Sequence, residues 1–316
     1  MRRSIAVLAT AFLVAGCAGS KGSAAPAPTV TSPSQTAASS TPSSTGPFTA
    51  VGAYGHEPTI TFPAGAPPKD LVKTVVTEGT GPAVVKGDLL VGHYVGQVWG
   101  SATPFDSSYK RNAMAGFPIG VGAVVPGWDE TLVGVKAGSR VLLSLPPAKG
   151  YGTAGNTGAG IKGTDTIVFV VDVVASYTST LGGATDATPQ NVTIPGITIG
   201  GSLGQKPTVK VTKGTAEPKK NVATILAKGA GAPAVDGLAV LQFEAVDWSN
   251  APAGSTWTNG GLQSATLGGG GPLDSIRGVP IGSRVLVQLP KDTGKTSPHP
   301  SIAIVVDVVA QPAAPA

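Results

Sequence analysis

The residues best suited to chemistry lie in one stretch of the chain, between Pro104 and Tyr151. Within this stretch we single out a series of four aromatic side chains interleaved with one carboxylate and one guanidinium, while the rest of the chain is dominated by small and aliphatic residues. They are Phe105, Asp106, Arg111, Phe117, Trp128 and Tyr151. A cluster that is mostly aromatic and carries few charges is typical of an apolar pocket that holds part of a ligand away from water.

Other kinds of site are less compatible with the sequence. The histidines His56, His93 and His299 are far apart and have no cysteine or carboxylate at ligand spacing, so we expect no metal site. The segment Gly150–Gly155 matches the letters GxGxxG, but no helix-forming sequence follows it, and we expect no dinucleotide or other cofactor. For His93 we expect a structural role within a strand.

Charge gives little support for a nucleic-acid partner. Only 12% of the residues are charged, and the formal net charge is +5. The one basic concentration, from Lys206 to Lys228, has no interleaved aromatic residues, so we interpret it as a solvated face and predict no nucleic-acid binding.

The N-terminus predicts export and a lipid anchor. Two arginines precede an apolar run from Ile5 to Ala15, as in a secretory signal peptide, and Leu13–Cys17 resembles a bacterial lipobox. We therefore expect a lipoprotein signal peptide over 1–16, acylation of Cys17, and a protein held at the cell membrane. An ordinary signal peptide with an incidental cysteine is the alternative. Residues 17–57, rich in Ala, Ser, Thr and Pro, are predicted to be a disordered tether.

The elements around the aromatic stretch predict an α+β domain over 58–176. β-rich segments bounded by turn signals predict four strands: Asp70–Glu78, Asp88–Trp99, Ser139–Leu145 and Thr166–Val174. A short helix is expected after Pro126–Gly127, with Trp128, Leu132 and Val135 on one face and with Gly134 and Gly138 ending it. The expected fold is a curved antiparallel sheet wrapped over this helix.

A second, related domain is predicted over 205–312, after a linker at 177–204. The clearest repeat is Gly138–Leu142 (GSRVL), which recurs as Gly282–Leu286, and Val171–Ala175 (VDVVA) recurs as Val306–Ala310. Several matches in one order indicate tandem homologous domains.

Six groups of residues in register resemble the FKBP-type peptidyl-prolyl cis-trans isomerases. These groups are His93–Gly96 (HYVG), Phe105–Ser108 (FDSS), Ile119–Gly120 with Val124–Asp129 (VVPGWD), Gly134, Gly138–Arg140 (GSR) and Pro146–Pro147 leading to Gly150–Gly152 (GYG). The resemblance covers about residues 58–176. It implies two tandem FKBP-like domains, the second degenerate, in a bacterial lipoprotein.

The resemblance also implies roles for individual residues. Trp128 would form the floor of a proline pocket, and Tyr151 would offer a hydroxyl to the ligand. Asp106, with Arg111 beside it, would lie at the pocket edge, and the backbone N–H of Val125 would donate to a ligand carbonyl. The apolar walls would be Tyr94, Phe105, Val124, Val125, Ile161 and Phe169. Phe117 would occupy a core position beside the pocket, and Ala115 stands where the family usually has an aromatic residue.

The chemistry of proline isomerisation agrees with these roles. Resonance gives amide rotation a barrier of about 18 to 20 kcal/mol, and X-Pro bonds isomerise slowly without help. No bond is broken, so a dry apolar slot that favours the twisted amide suffices, without metal or cofactor. The expected partners are proline-containing unfolded or exported polypeptides and macrolide ligands. The alternative is a module on the cell surface that binds proline segments, or acts as a chaperone, without useful catalysis.

The second domain is expected to lack this chemistry. By counting, Pro272 stands where Trp128 stood, and no Gly-Tyr-Gly occurs in the shortened segment from Lys291 to Ser301. We predict a module that folds but does not isomerise proline.

Overall fold

The computed structural model describes residues 48–294 and 298–315. The predicted signal peptide, Cys17 and the tether up to residue 47 lie outside the described residues. Within the described ranges, no helix is both long and apolar enough to span a bilayer.

The first half of the described chain forms an antiparallel sheet, a short helix and a separate two-stranded hairpin. The elements are β1 (Thr49–Val51), β2 (Thr59–Thr61), β3 (Val72–Thr77), β4 (Leu89–Val98), β5 (Pro104–Ser107), β6 (Ala115–Pro118), α1 (Pro126–Thr131), β7 (Arg140–Leu145) and β8 (Ile167–Tyr177). The strand order is β3-β7-β8-β4-β5, with β6 paired to the start of β4. Three 3-10 turns follow β7: Pro147–Lys149, Gly152–Ala154 and Thr157–Ala159.

This half agrees with the predicted α+β domain in its main elements. The four predicted strands correspond to β3, β4, β7 and β8, and the predicted helix is α1. Proline at the first helical position fixes the start of α1, but the helix ends at Thr131, earlier than the glycines suggested. Trp128, Leu132 and Val135 are all buried in the core between helix and sheet, as predicted.

Within the described residues, folded structure is present from Phe48 onward, so the tether end predicted at residue 57 was wrong. The hairpin β1–β2 covers the outer face of the sheet, where Phe48 is only 2% exposed and packs with Leu142, Val168 and Trp99. The composition of 17–57 predicts disorder, but burial of the Phe48 side chain against the sheet helps to hold a short hairpin in place.

The second half forms another antiparallel sheet with a hairpin over its outer face. Its elements are β9 (Thr188–Pro189), β10 (Ile197–Gly200), β11 (Thr208–Val211), β12 (Val222–Lys228), β13 (Gly237–Asp247), β14 (Pro252–Ser255), β15 (Gln263–Leu267), a 3-10 helix (Pro272–Ile276), β16 (Arg284–Leu289) and β17 (Ile302–Ala310). The strand order is β14-β13-β17-β16-β12-β9, with β15 paired to β13. Apart from β9, this order follows that of the first sheet, strand for strand.

Two expectations for the second half need correction. A 3-10 helix of five residues takes the place of the expected α-helix. The predicted linker at 177–204 contains two strands: β9 joins the edge of the second sheet, and β10 pairs with β11. Ile197 on β10 is buried against Leu286 and Val305, so the second fold starts before Gln205.

Candidate active site

The concave side of the first sheet and α1 bring together the aromatic residues that the sequence singled out. Tyr94 comes from β4, Phe105 from β5 and Phe169 from β8, and each ring turns toward the same core. Trp128 enters this core from the first turn of α1. Neighbouring strands pair in a register that sets Tyr94 opposite Val171 and Gly96 opposite Phe169, which places these rings on one face.

Trp128 is the centre of the cluster. Its ring lies 4.8 Å from that of Phe117, 5.1 Å from that of Phe169 and 5.9 Å from that of Tyr94, measured between centroids, and all three contacts are edge-to-face. Only 3% of Trp128 is exposed. Among the described residues the indole Nε1 has no hydrogen-bond partner, so a polar donor points into apolar surroundings.

The walls of the site depend on close approach between strands. The rings of Phe105 and Phe169 meet edge-on at 5.8 Å. They cross over Gly96, where a Cβ atom would lie 2.6 Å from Phe105 and 2.7 Å from Phe169. Only glycine therefore allows the two rings to close this side of the site.

Aliphatic residues from loops complete the apolar lining. Val124 and Val125 pack on the cluster from the segment before α1, and Ile161 does so from the loop after β7. The Asp129 carboxylate holds the first of these segments, accepting hydrogen bonds from the N–H groups of Gly120 (2.6 Å) and Gly122 (2.7 Å). Asp129 thus fixes the approach of Val124 and Val125.

A polar group lies at the rim. The Tyr94 hydroxyl donates to the Asp106 carboxylate, which also pairs with the Arg111 guanidinium, and Nη2 of Arg111 donates to the same hydroxyl at 2.8 Å. Burial, together with the hydrogen bond to Asp106, raises the pKa of Tyr94 to about 12. The hydroxyl therefore stays protonated near neutral pH. The side chains of Arg111 and Asp106 are 38% and 36% exposed, so their attraction is screened by water.

Tyr151 stands apart from the other predicted residues. It lies between two 3-10 turns, at Pro147–Lys149 and Gly152–Ala154, and is 36% exposed. The apolar cluster around Trp128 does not include it. Its proposed hydrogen bond to a ligand remains a prediction, as does the donor role of the Val125 N–H.

Two residues were undervalued from the sequence. Phe117 was expected beside the pocket in the core, but its ring makes the shortest centroid contact with Trp128 and lies 5.5 Å from that of Tyr94. Ala159, in a 3-10 turn, also packs on the cluster. Phe117 pairs with Leu90 of the core, but β6 has only four residues and too little alternation to indicate this from the sequence. An alanine in a glycine-rich loop gives no signal either.

Comparison with known proteins agrees with this geometry. Residues 81–174 match the family described as FKBP-type peptidyl-prolyl cis-trans isomerase. The chain is 38% identical over 120 residues to an FK506-binding protein of Streptomyces anulatus, covering 38% of this chain and 97% of that protein. It is 34% identical over 121 residues to a probable FK506-binding protein of Corynebacterium glutamicum, covering 38% of this chain and 99% of that protein. It is 35% identical over 104 residues to the peptidyl-prolyl cis-trans isomerase FPR2 of Saccharomyces cerevisiae, covering 33% of this chain and 76% of that protein. The chain therefore belongs to the FKBP-type peptidyl-prolyl cis-trans isomerases.

Proposed function

We propose that this isomerase is tethered to the membrane and assists the folding of exported polypeptides, binding X-Pro segments in the pocket over Trp128. The observation that carries the site is the apolar cluster of Trp128, Tyr94, Phe105 and Phe169, with the Tyr94, Asp106 and Arg111 group at its rim. Proline-containing polypeptides and macrolides fit such a site because both present an apolar ring next to a carbonyl group.

The reaction needs only binding and exclusion of water. A planar X-Pro amide carries more charge separation than the twisted amide, so an apolar slot destabilises the planar form relative to the twisted one. The edge-to-face rings around Trp128 offer a surface for the proline ring. The carboxylate of Asp106 acts through its electric field and by holding the Tyr94 hydroxyl, and no proton is transferred.

The test is a protease-coupled isomerisation assay with X-Pro peptides on the full chain. Trp128→Leu should lower kcat/KM by about a hundredfold, and Asp106→Val by about tenfold, because each displaces groups that orient the amide. Tyr151→Phe tests the predicted hydroxyl. Trp248→Leu, a matched change in the second sheet, should leave kcat/KM unchanged. Equal losses in Trp128→Leu and Trp248→Leu would contradict this site.

The second candidate is a binding module without useful catalysis. Ala115 favours it, since a small, half-buried residue on β6 replaces an aromatic wall that is usual in the family. A full chain that binds a macrolide of the family, yet shows no turnover of any X-Pro peptide, would replace the first proposal with this one.

We further propose that the second sheet belongs to a degenerate FKBP-like domain without isomerase activity. The shared strand order supports this, and so does the 3-10 helix. There the Asp274 carboxylate accepts from Gly268 (2.9 Å) and Gly270 (2.7 Å), as Asp129 does in the first half. By this equivalence Leu273, and not Pro272 as counted from the sequence, stands where Trp128 stood.

Other positions of this second site have lost the hydroxyl, the carboxylate or the aromatic ring of their counterparts. Strand pairing and hydrogen bonds set Phe243 at the position of Tyr94, Ile304 at that of Phe169, and Gly254 at that of Asp106. A phenylalanine without a hydroxyl and a glycine without a carboxylate cannot form the polar rim. Turnover that survives in a Trp128→Leu, Asp106→Val double variant at half the wild-type rate would show that this site is active.

The proposed tether is tested at Cys17. Cells expressing the chain should incorporate a labelled fatty acid into it, and the protein should sediment with membranes. Cys17→Ser should abolish both, because two or three acyl chains are needed for stable anchoring. Membrane association of Cys17→Ser without label would point instead to an ordinary signal peptide and another mode of attachment.

A further inference from the structure

The outer face of β6 and the start of β4 are covered by the second sheet. A cluster of buried apolar residues joins the two sheets, and every member is at most 7% exposed. It consists of Leu89 and Val91 from β4, Leu238 and Val240 from β13, and Leu262 before β15. All described residues belong to one compact unit. The two sheets therefore share a core of their own, separate from the core beneath Trp128.

The closest approach lies between β6 and β15. A Cβ atom built on Gly116 would lie 2.5 Å from the Oγ atom and 2.9 Å from the Cβ atom of Ser264. The backbone of β6 thus rests directly on a side chain of the second sheet. Because Gly116 is not in the left-handed region, this contact with Ser264 is what disfavours a side chain there.

β6 has little else to hold it in place. It is an edge strand of four residues, hydrogen-bonded on one side to Leu89–Gly92 of β4. Its inner face carries Phe117, whose ring lies 4.8 Å from that of Trp128. A shift of β6 would therefore move the ring that makes the shortest contact with the floor of the site.

The segment after β8 also keeps the second sheet beside the first. The Ser179 carbonyl, two residues past the end of β8, accepts a hydrogen bond at 3.0 Å from the buried Gln242 side chain of β13. A Cβ atom on Gly261 would lie 2.6 Å from the Cβ of Ser179, so the segment also passes closely over the turn before β15. These contacts position β15 against β6.

We propose that the second sheet is a positioning part of the isomerase site, in which Ser264 on β15 fixes β6 and so holds Phe117 against Trp128. The inference rests on the proposed function, that is, on isomerisation over Trp128. The second half of the chain would thereby contribute to catalysis without containing an active pocket itself. Ser264 and Gly116 act through Phe117 and touch no substrate.

The test is a compensating pair of substitutions in the full chain. Gly116→Ala should push β6 away from β15 and lower kcat/KM for X-Pro peptides by about tenfold. Adding Ser264→Gly removes the two nearest atoms that the new methyl group would meet, and should restore kcat/KM to within about twofold of the wild type. Gly269→Ala is the matched control, since a Cβ atom there meets no other atom within 4 Å and the backbone is not left-handed.

A spectroscopic readout follows the position of Phe117 directly. The indole N–H resonance of Trp128, assigned with Trp128→Leu, should shift in Gly116→Ala and return in the double variant. A folded Gly116→Ala with unchanged kcat/KM would overturn the proposal. A loss that Ser264→Gly fails to reverse would do the same, because it would place the cause within the first sheet, where the new methyl group also meets Leu89 at 3.3 Å.

Leu262→Ala covers the case in which Gly116→Ala does not fold. This change opens a cavity in the core between the sheets, leaves the Trp128 cluster untouched, and should accelerate hydrogen exchange of the β6 amides while lowering kcat/KM several-fold. Unchanged kcat/KM with accelerated exchange would refute the inference. A wild-type chain without turnover would instead signal failure of the proposed function, and the Trp128 resonance would still report whether β15 positions Phe117.

Discussion

Replacing Arg140 with methionine should remove a large part of the stability of the first sheet. The Arg140 guanidinium is fully buried and binds Asp172 through two hydrogen bonds, of 2.6 and 2.7 Å. It also donates to the carbonyls of Gly52 (2.6 Å) and His56 (2.7 Å) in the loop between β1 and β2. One side chain thus joins the sheet to the hairpin that covers it.

The expected cost follows from what the substitution leaves behind. Methionine fills a similar volume but leaves the Asp172 carboxylate buried, and among the described residues only the Gly55 N–H and the Tyr109 hydroxyl then donate to it. Breaking a buried pair in this way costs about 3 to 5 kcal/mol, out of a free energy of unfolding that for a typical domain is about 5 to 15 kcal/mol. The carbonyls of Gly52 and His56 also lose their donor, which should release the hairpin.

The assay is urea unfolding followed by hydrogen exchange and mass spectrometry, which reports each sheet separately. Arg140→Met should destabilise the first sheet by the stated amount. The double variant Arg140→Met, Asp172→Leu should lose clearly less than the sum of the two single changes, because it leaves no unpaired charge. Arg284→Met is the matched variant in the second sheet, where Arg284 pairs with Asp307 and donates to the Ser202 and Gln205 carbonyls.

Three results would refute this reasoning. A loss of stability below about 1 kcal/mol in Arg140→Met would mean that the carboxylate finds water or another donor at little cost. Strictly additive single changes would mean that the pair is not energetically coupled. A loss confined to the opposite sheet in either arginine variant would also contradict it.

Two further predictions concern the site itself. Burial raises the pKa of Tyr94 and of Tyr54 to about 12 and lowers that of His93, so kcat/KM should be flat between about pH 7 and 9. The stability due to the two tyrosines is present below their ordinary pKa of 10 and should be lost as the pH rises from 10 through 12. Alkaline denaturation checks this, since Tyr94→Phe and Tyr54→Phe should each be less sensitive to high pH than the wild type. Gly96→Ala would place a methyl group 2.6 to 2.7 Å from the Phe105 and Phe169 rings and should cost about 1 to 3 kcal/mol of stability together with most of the activity. The control is Gly271→Ala, whose new methyl group meets no atom within 4 Å. Equal effects of the two substitutions would contradict the role of Gly96 in letting the two rings meet.

The sequence predicted the site better than its surroundings. Trp128, Tyr94, Phe105 and Phe169 could be brought together because they lie in strands and a helix whose patterns are clear, and because the resemblance supplied their register. The rim of Asp106 and Arg111 followed in the same way. Phe117 was placed less well, since β6 has only four residues, and an edge strand of that length carries too little alternation to be recognised.

The hairpins could not be predicted from local pattern. β1 and β10 contain three and four residues, and each is stabilised by burial against an outer sheet face rather than by its own sequence. The partners that bind them, Arg140 and Arg284, lie more than seventy residues away in the chain. For the same reason, the contact between the sheets through Leu89 and Leu238 could not be predicted from the local sequence around either residue.

Some interactions are present in both halves and others only in the first, and energetics explains the difference. Both keep the buried Arg-Asp pair, both keep a serine hydroxyl that accepts from a glycine N–H (Ser139 from Gly79, Ser283 from Gly229), and both keep the aspartate that binds the loop before the helix. Losing one partner of the buried Arg-Asp pair costs about 3 to 5 kcal/mol, so a single change there is strongly destabilising. The indole Nε1 of Trp128, by contrast, has no hydrogen-bond partner among the described residues, and leucine at that position loses no hydrogen bond. A folded second half can therefore dispense with the tryptophan but not with the arginine, which explains why the buried Arg-Asp pair is present in both sheets.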